Sequence, residues 1–152
     1  MDKYYIPESS ELRVGFEIEY LRNGTWHEDT VNDLYYAYDT WKDHEAGRHS
    51  IRVKYLDQED IESLGFEYEK TMSLGSLRAS YWTGDNSIVG RILTKENSRM
   101  TCWNMAIHVF KDHHVKIECK MADAEVHTFF EGIIKNKSEL KTVLKMIGYE
   151  KV

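Results

Sequence analysis

Long hydrophobic runs, proline, cysteine and positive charge are all scarce in this chain of 152 residues. No apolar stretch approaches the roughly 18 residues that a membrane-spanning helix needs, and Met1-Asp2-Lys3-Tyr4-Tyr5 lacks the apolar core of an export signal. Neither membrane insertion nor export is therefore expected. With one proline there is no Pro-rich linker, no tract is of low complexity and no fixed-period repeat is visible, so a single domain over residues 1–152 is expected. Lys and Arg number 20 against 26 Asp and Glu, a net charge of −6. That balance argues against a long basic face for duplex nucleic acid and suits a cytoplasmic protein.

Two cysteines allow at most one disulfide. Trp103, Met105, Ile107 and Val109 alternate along one side of a predicted strand, and Val115, Ile117, Cys119 and Met121 along the matching side of the next. Cys119 then lies on the shared face and Cys102 on the opposite one. Only a bulge, whose extra residue inverts the parity, would defeat this reading, so the expected state is two reduced thiols in a reducing compartment.

What the chain does contain is short alternating segments. Leu12, Val14, Phe16, Ile18 and Tyr20 predict a strand that Asn23-Gly24 turns into a hairpin; Asn32 to Ala46 fits helical spacing loosely while its tyrosines also suit a strand, and it is read as a helix. A strand over Ile51 to Tyr55 and a short helix capped by Asp57 and ended by Gly65 follow. Strands are then predicted at 66–71, 77–83, 88–94, 100–110, 115–121 and 125–134. The chain closes on a helix that Asn136 can cap and whose Leu140, Val143, Leu144 and Ile147 form an apolar stripe stopped by Gly148. The expected fold class is α+β: a mostly antiparallel, curved meander with the C-terminal helix packed on one face.

The segments Ile51-Arg52-Val53-Lys54-Tyr55-Leu56-Asp57-Gln58-Glu59-Asp60-Ile61-Glu62-Ser63-Leu64-Gly65-Phe66 and Phe130-Glu131-Gly132-Ile133-Ile134-Lys135-Asn136-Lys137-Ser138-Glu139-Leu140-Lys141 resemble stretches of small proteins of gut Bacteroidales and their crAss-like phages. The resemblance implies a phage or mobile-element accessory protein working inside a bacterial host. It carries no site residues.

Catalytic and metal signatures are wanting. His44 and His49 stand five apart, about 140° around a helix, and Gly47 interrupts them, so they do not form the four-apart pair of a zinc protease helix. Asp112-His113-His114 falls at a predicted turn. His108 and His127 on separate late strands resemble the histidines of enzymes that cleave phosphodiesters, but those enzymes place Ser or Thr two residues after each His, where this chain has Phe110 and Phe129. No Gly-rich phosphate loop or GxSxG elbow is present. No metal and no cofactor is expected.

Two constellations remain. A type I′ turn at Asn23-Gly24 sets Glu19 opposite Glu28 with Cβ atoms ~5 Å apart, where like charges could hold a proton or a divalent cation; the plainer reading is a frayed hairpin end with both groups in water, and a Lys or Arg nearby could also neutralise the pair. A tight turn at Asp85-Asn86 would set Trp82 opposite Val89, Ser80 opposite Arg91 and Arg78 opposite Leu93. Arg78, Ser80, Trp82 and Arg91 would then supply guanidinium groups for phosphate and an indole for a base, the parts of a site for a small anionic nucleotide. The tyrosine-rich segment Tyr35, Tyr36, Tyr38, Trp41 reads either as core helix or as an oligomer interface. The expected function is thus binding, in its sharpest form a decoy that sequesters a nucleotide immune signal of the host. A protein-binding inhibitor or virion assembly factor, and an enzyme degrading a phosphorylated nucleotide, stand as the alternatives.

Overall fold

A computed structural model describes residues 3–47, 50–74, 77–84, 92–93, 99–100, 102–121 and 126–149, with side chains for 3–47, 50–69, 105–110, 112–119 and 126–149. They are antiparallel strands and three α-helices, an α+β fold that ends in a helix. The chain divides into two compact units, residues 1–55 with 136–139, and residues 56–135 with 140–152.

In the first unit, strands β1 (Tyr4–Tyr5), β2 (Glu17–Arg22), β3 (Thr25–Thr30) and β4 (Ile51–Lys54) form a sheet in the order β1-β4-β2-β3. The β2–β3 turn is as the sequence predicts: Asn23 and Gly24 both take positive φ, 51° and 78°, the type I′ geometry whose twist matches the strands. The strand expected from Leu12 onward begins only at Glu17. Gly15 at φ 86° breaks it, the Phe16 N–H bonds back to Arg13 O, and Val14 is left 59% exposed. Helix α1 (Leu34–Glu45) starts where Asp33 accepts the Tyr36 N–H at 2.7 Å, satisfying an orphan donor of the first turn. Leu12, Phe16, Ile18, Val31, Ala37, Ile51 and Val53 are its core, with Tyr5, Tyr20, Tyr36 and Trp41 packed around them.

Tyr5 organises the polar side of this unit. Its hydroxyl receives a bond from Asn136 Nδ2 at 2.8 Å and donates to Glu11, while Ser138 Oγ accepts the Glu17 N–H at 2.9 Å. Burial, with Glu11 and Glu139 nearby, raises the Tyr5 phenol well above its ordinary value against the opposing Asn136 bond.

The second unit is built on a five-stranded sheet in the order β11-β10-β9-β6-β5, from β5 (Phe66–Leu74), β6 (Leu77–Gly84), β9 (Cys102–Val109), β10 (His114–Met121) and β11 (Val126–Ile133). The chain leaves the simple meander once, because β7 (Ile92–Leu93) and β8 (Arg99–Met100) pair with each other and β6 pairs directly with β9. Helix α2 (Gln58–Ser63) carries the capping box of Asp57 and Asp60. Helix α3 (Lys137–Met146) opens where Asn136 accepts the Glu139 N–H at 2.9 Å, as expected, and buries Leu140 and Leu144 fully with Ile61, Phe66, Met105, Ile107, Val115, Ile117 and Ile134. Gly148 takes φ 85° just past the helix end, and Tyr149 then turns in to stack on Phe66 and donate to Leu64 O.

Bulges correct the cysteine reading. Between β9 and β10 the register runs Cys119 with Met105 and Lys120 with Asn104, then skips Trp103 to pair Met121 with Cys102. One extra residue inverts the parity beyond it, so Cys102 takes the register side that the sequence assigned to Trp103. Cys119 is disulfide-bonded rather than reduced, and Cys102 is the sequence's other cysteine. A second bulge on β11, at Phe129, lets Phe129 and Phe130 both pack against the core.

Candidate functional site

The first unit holds a cleft of about 400 Å³ lined by Tyr20, Arg22, Asp29, Tyr36, Asp39, Thr40, Asp43 and Ile51. Two local folding events make it. The Asn23-Gly24 turn sets Asp29 in register with Ile18, on the same face of the hairpin as Tyr20 and Arg22, and the cap at Asp33 fixes the rotation of α1, so that Ala37 enters the core while Tyr36, Asp39 and Asp43 line up along one flank. Tyr36 Oη donates to Asp29 Oδ2, and the Thr30 N–H donates to Asp29 Oδ1 at 2.8 Å, which fixes the carboxylate. Burial first, then the bond to Asp29 and its charge, push the Tyr36 phenol up to about 12. The ring therefore stays a neutral donor at physiological pH.

Electrostatically the cleft is acidic, with three aspartates against one arginine. A neighbouring hollow lined by Asp39, Lys42, Asp43, Glu45 and Ala46 shares two of those aspartates. Among the described residues no group of three or more His, Cys, Asp or Glu is arranged to hold a metal ion. The carboxylates and tyrosine faces fit an organic cation, an ammonium or guanidinium group.

The chain matches no family model, no curated protein and no solved structure.

Arg78, Ser80 and Trp82, singled out from sequence, do not line this cleft. Arg78, Ser80 and Trp82 occupy alternate positions of β6, opposite Ser73, Thr71 and Tyr68 of β5. On its other edge β6 pairs with β9, Ser80 with Val109 and Trp82 with Ile107, so the expected pairings of Trp82 with Val89 and Ser80 with Arg91 have no edge left to form on. Arg91, like Val89, lies outside the described residues. His108 and His127 do not share a site either. His108 is in register with Lys116 and His127 with Cys119, and Lys116 and Cys119 lie on opposite sides of β10. Asp112 and His113 form the β9–β10 turn with φ near 60°, as the sequence led one to expect of a turn. Of the first helix, His44 leans on Trp41 with ring centroids 5.6 Å apart, and His49 lies outside the described residues.

The Glu19–Glu28 pairing forms in the expected register, but it is no cation site. Arg52 neutralises Glu19, and its guanidinium lies between the rings of Tyr4 and Trp26. Sequence reasoning missed Tyr36, Asp39 and Asp43 as a site. The signal was present in their spacing of three and four, which puts a tyrosine and two carboxylates on one helical stripe.

Proposed function

We propose that the protein acts by binding, as an accessory protein of a phage or mobile element, and that it engages a partner protein through the partner's basic side chains. What supports the reading is the cleft of Tyr20, Tyr36, Asp29, Asp39 and Asp43, where an oriented carboxylate, two further carboxylates and two aromatic rings surround one space. A cation entering it gains charge-assisted hydrogen bonds and ring faces at once, whereas a phosphate meets like charge. The reading therefore favours an inhibitor or assembly factor over a nucleotide decoy.

A thermal-shift panel on the full chain tests it. Spermidine and arginine methyl ester should stabilise the protein, approaching ~2.7 kcal/mol at a hundredfold excess over Kd, and Asp39→Asn with Asp43→Asn should abolish the effect. Cyclic and ADP-ribose-type nucleotides form the opposing arm. Stabilisation by a nucleotide that is lost in Arg78→Ala and Arg91→Ala, with no effect of the cations, would replace this reading with the decoy.

A further inference from the structure

We infer that the outward face of α1 is a docking surface for a basic, amphipathic segment of a partner protein, its apolar side chains lying on Leu34, Tyr35 and Tyr38 and a lysine or arginine reaching the cleft past Asp39. This rests on the reading of the cleft as a cation site and adds the surface and the kind of partner.

Three large side chains point away from the core on one helix: Leu34 is 72% exposed, Tyr35 82% and Tyr38 55%. The tyrosine-rich segment thus splits, with Tyr36 and Trp41 against the core and Tyr35 and Tyr38 in water. Helical spacing makes the exposed set continuous with the cleft. Leu34 and Tyr38 are four apart, Tyr35 and Tyr38 three, Tyr35 and Asp39 four, and Asp39 and Asp43 four, so an aromatic strip runs into an acidic one. Exposed tyrosines clustered in this way are the composition of a binding hot spot, because they offer large rigid contact area at small conformational cost.

Charge decides the occupant. Asp29, Asp39, Asp43 and Glu45 line the cleft and the hollow beside it against Arg22 and Lys42, an excess of acid. Lys42 already shows the preferred chemistry, since its ammonium lies 4.6 Å from the centroid of the Tyr38 ring. An acidic partner is repelled by this strip. A second copy of the chain would set the same carboxylates against themselves across a twofold interface.

The test uses the full chain and two synthetic peptides, one helix-forming sequence of Leu, Trp, Lys and Arg and a twin in which every Lys and Arg is Glu. The basic peptide should bind, the acidic twin should not, and affinity should fall steeply with added salt. The double variant Tyr35→Ala with Tyr38→Ala should weaken the basic peptide at least ~10-fold with an unchanged unfolding midpoint, because both side chains are solvent-exposed. Equal binding of both peptides, or full binding by the double variant, overturns the docking surface, as does a dimer in sedimentation that the double variant converts to monomer. If spermidine binds the cleft while the basic peptide ignores the tyrosine substitutions, the surface falls and the cation cleft stands. If neither spermidine nor the basic peptide binds, both fall.

Discussion

Arg52 on β4 and Glu19 on β2 stand directly opposite in register, and the guanidinium brings Nε to 2.6 Å and Nη2 to 2.5 Å from the same carboxylate oxygen, Oε2. The guanidinium carbon is also 3.6 Å from the Tyr4 ring centroid and 3.9 Å from that of Trp26, so one side chain links β1, β2, β3 and β4. Arg52→Ala should cost about 2 to 3 kcal/mol in denaturant unfolding, from charge-assisted hydrogen bonds and cation–π contacts together. Arg52→Lys should recover little of it, because an ammonium cannot stack between two rings while holding Glu19. A loss below ~0.5 kcal/mol would class the arrangement with ordinary surface ion pairs.

Leu144 is fully buried in the core of the second unit. Leu144→Ala should therefore cost ~2 to 5 kcal/mol, the range for a leucine truncation that leaves a cavity. A loss near zero would mean that the helix stripe is not packed in solution.

The closing helix was legible because each of its signals is local: Asn136 caps, the stripe repeats at three and four, and Gly148 supplies the left-handed residue. The same holds for Asn23-Gly24 and Asp57. Illegible features depended on register between distant strands. Nothing near Trp103 announces a bulge, so the parity argument for Cys102 and Cys119 inverted. The expected partner for Trp82 was a sequence neighbour, whereas β9, some twenty residues on, takes that edge. The cleft was hidden for another reason: Arg22 and Asp29 reach it from a hairpin and Tyr36, Asp39 and Asp43 from a helix, so no single window of sequence displays it.

The disulfide at Cys119 predicts that oxidised protein has an intact mass lighter than the reduced form by two hydrogen atoms. Reduction, or Cys119→Ala, should lower stability by about 3 kcal/mol, the chain-entropy value for the loop of roughly 18 residues that pairing with Cys102 closes. A protein purified without reductant that still shows two reactive thiols would refute the bond.

His108 and Glu118 predict the acid limb of the stability curve. His108 Nε2 lies 3.0 Å from Glu118 Oε2, and Lys116 also bonds that carboxylate. Burial lowers the His108 imidazole below its ordinary value despite Glu118, and although burial alone would raise Glu118, Lys116 and His108 together bring its carboxyl below the usual range. Both groups bind protons less readily folded than unfolded, so their contributions are complete above the unfolded values and are lost as pH falls through the folded ones. The melting temperature should accordingly drop as pH falls from about 6.5, and further below about 4.5. His108→Gln should flatten the first of these two losses. A curve unchanged by His108→Gln would show that this histidine takes no part.

Tyr36 and Asp29 predict the opposite limb and tie it to the cleft. The Tyr36 phenol is pushed up to about 12 by burial and by its bond to Asp29, so it stays protonated in the folded protein while an unfolded tyrosine ionises near 10. A raised value contributes stability that is complete below the unfolded pKa and is lost as pH rises through the folded one. Wild-type stability should fall between pH 10 and 12 more steeply than that of Tyr36→Phe, with Tyr5, raised in the same direction, contributing equally to both curves. At neutral pH Tyr36→Phe should cost about 2 kcal/mol, from the hydroxyl's bonds to Asp29 and Thr40, and should leave the Thr30 N–H holding Asp29. The freed carboxylate can then follow a bound cation, so spermidine should bind Tyr36→Phe with altered affinity, whereas Arg52→Ala, at the other face of the sheet, should leave it unchanged. Identical cation affinity in wild type and Tyr36→Phe would place the cation outside this cleft.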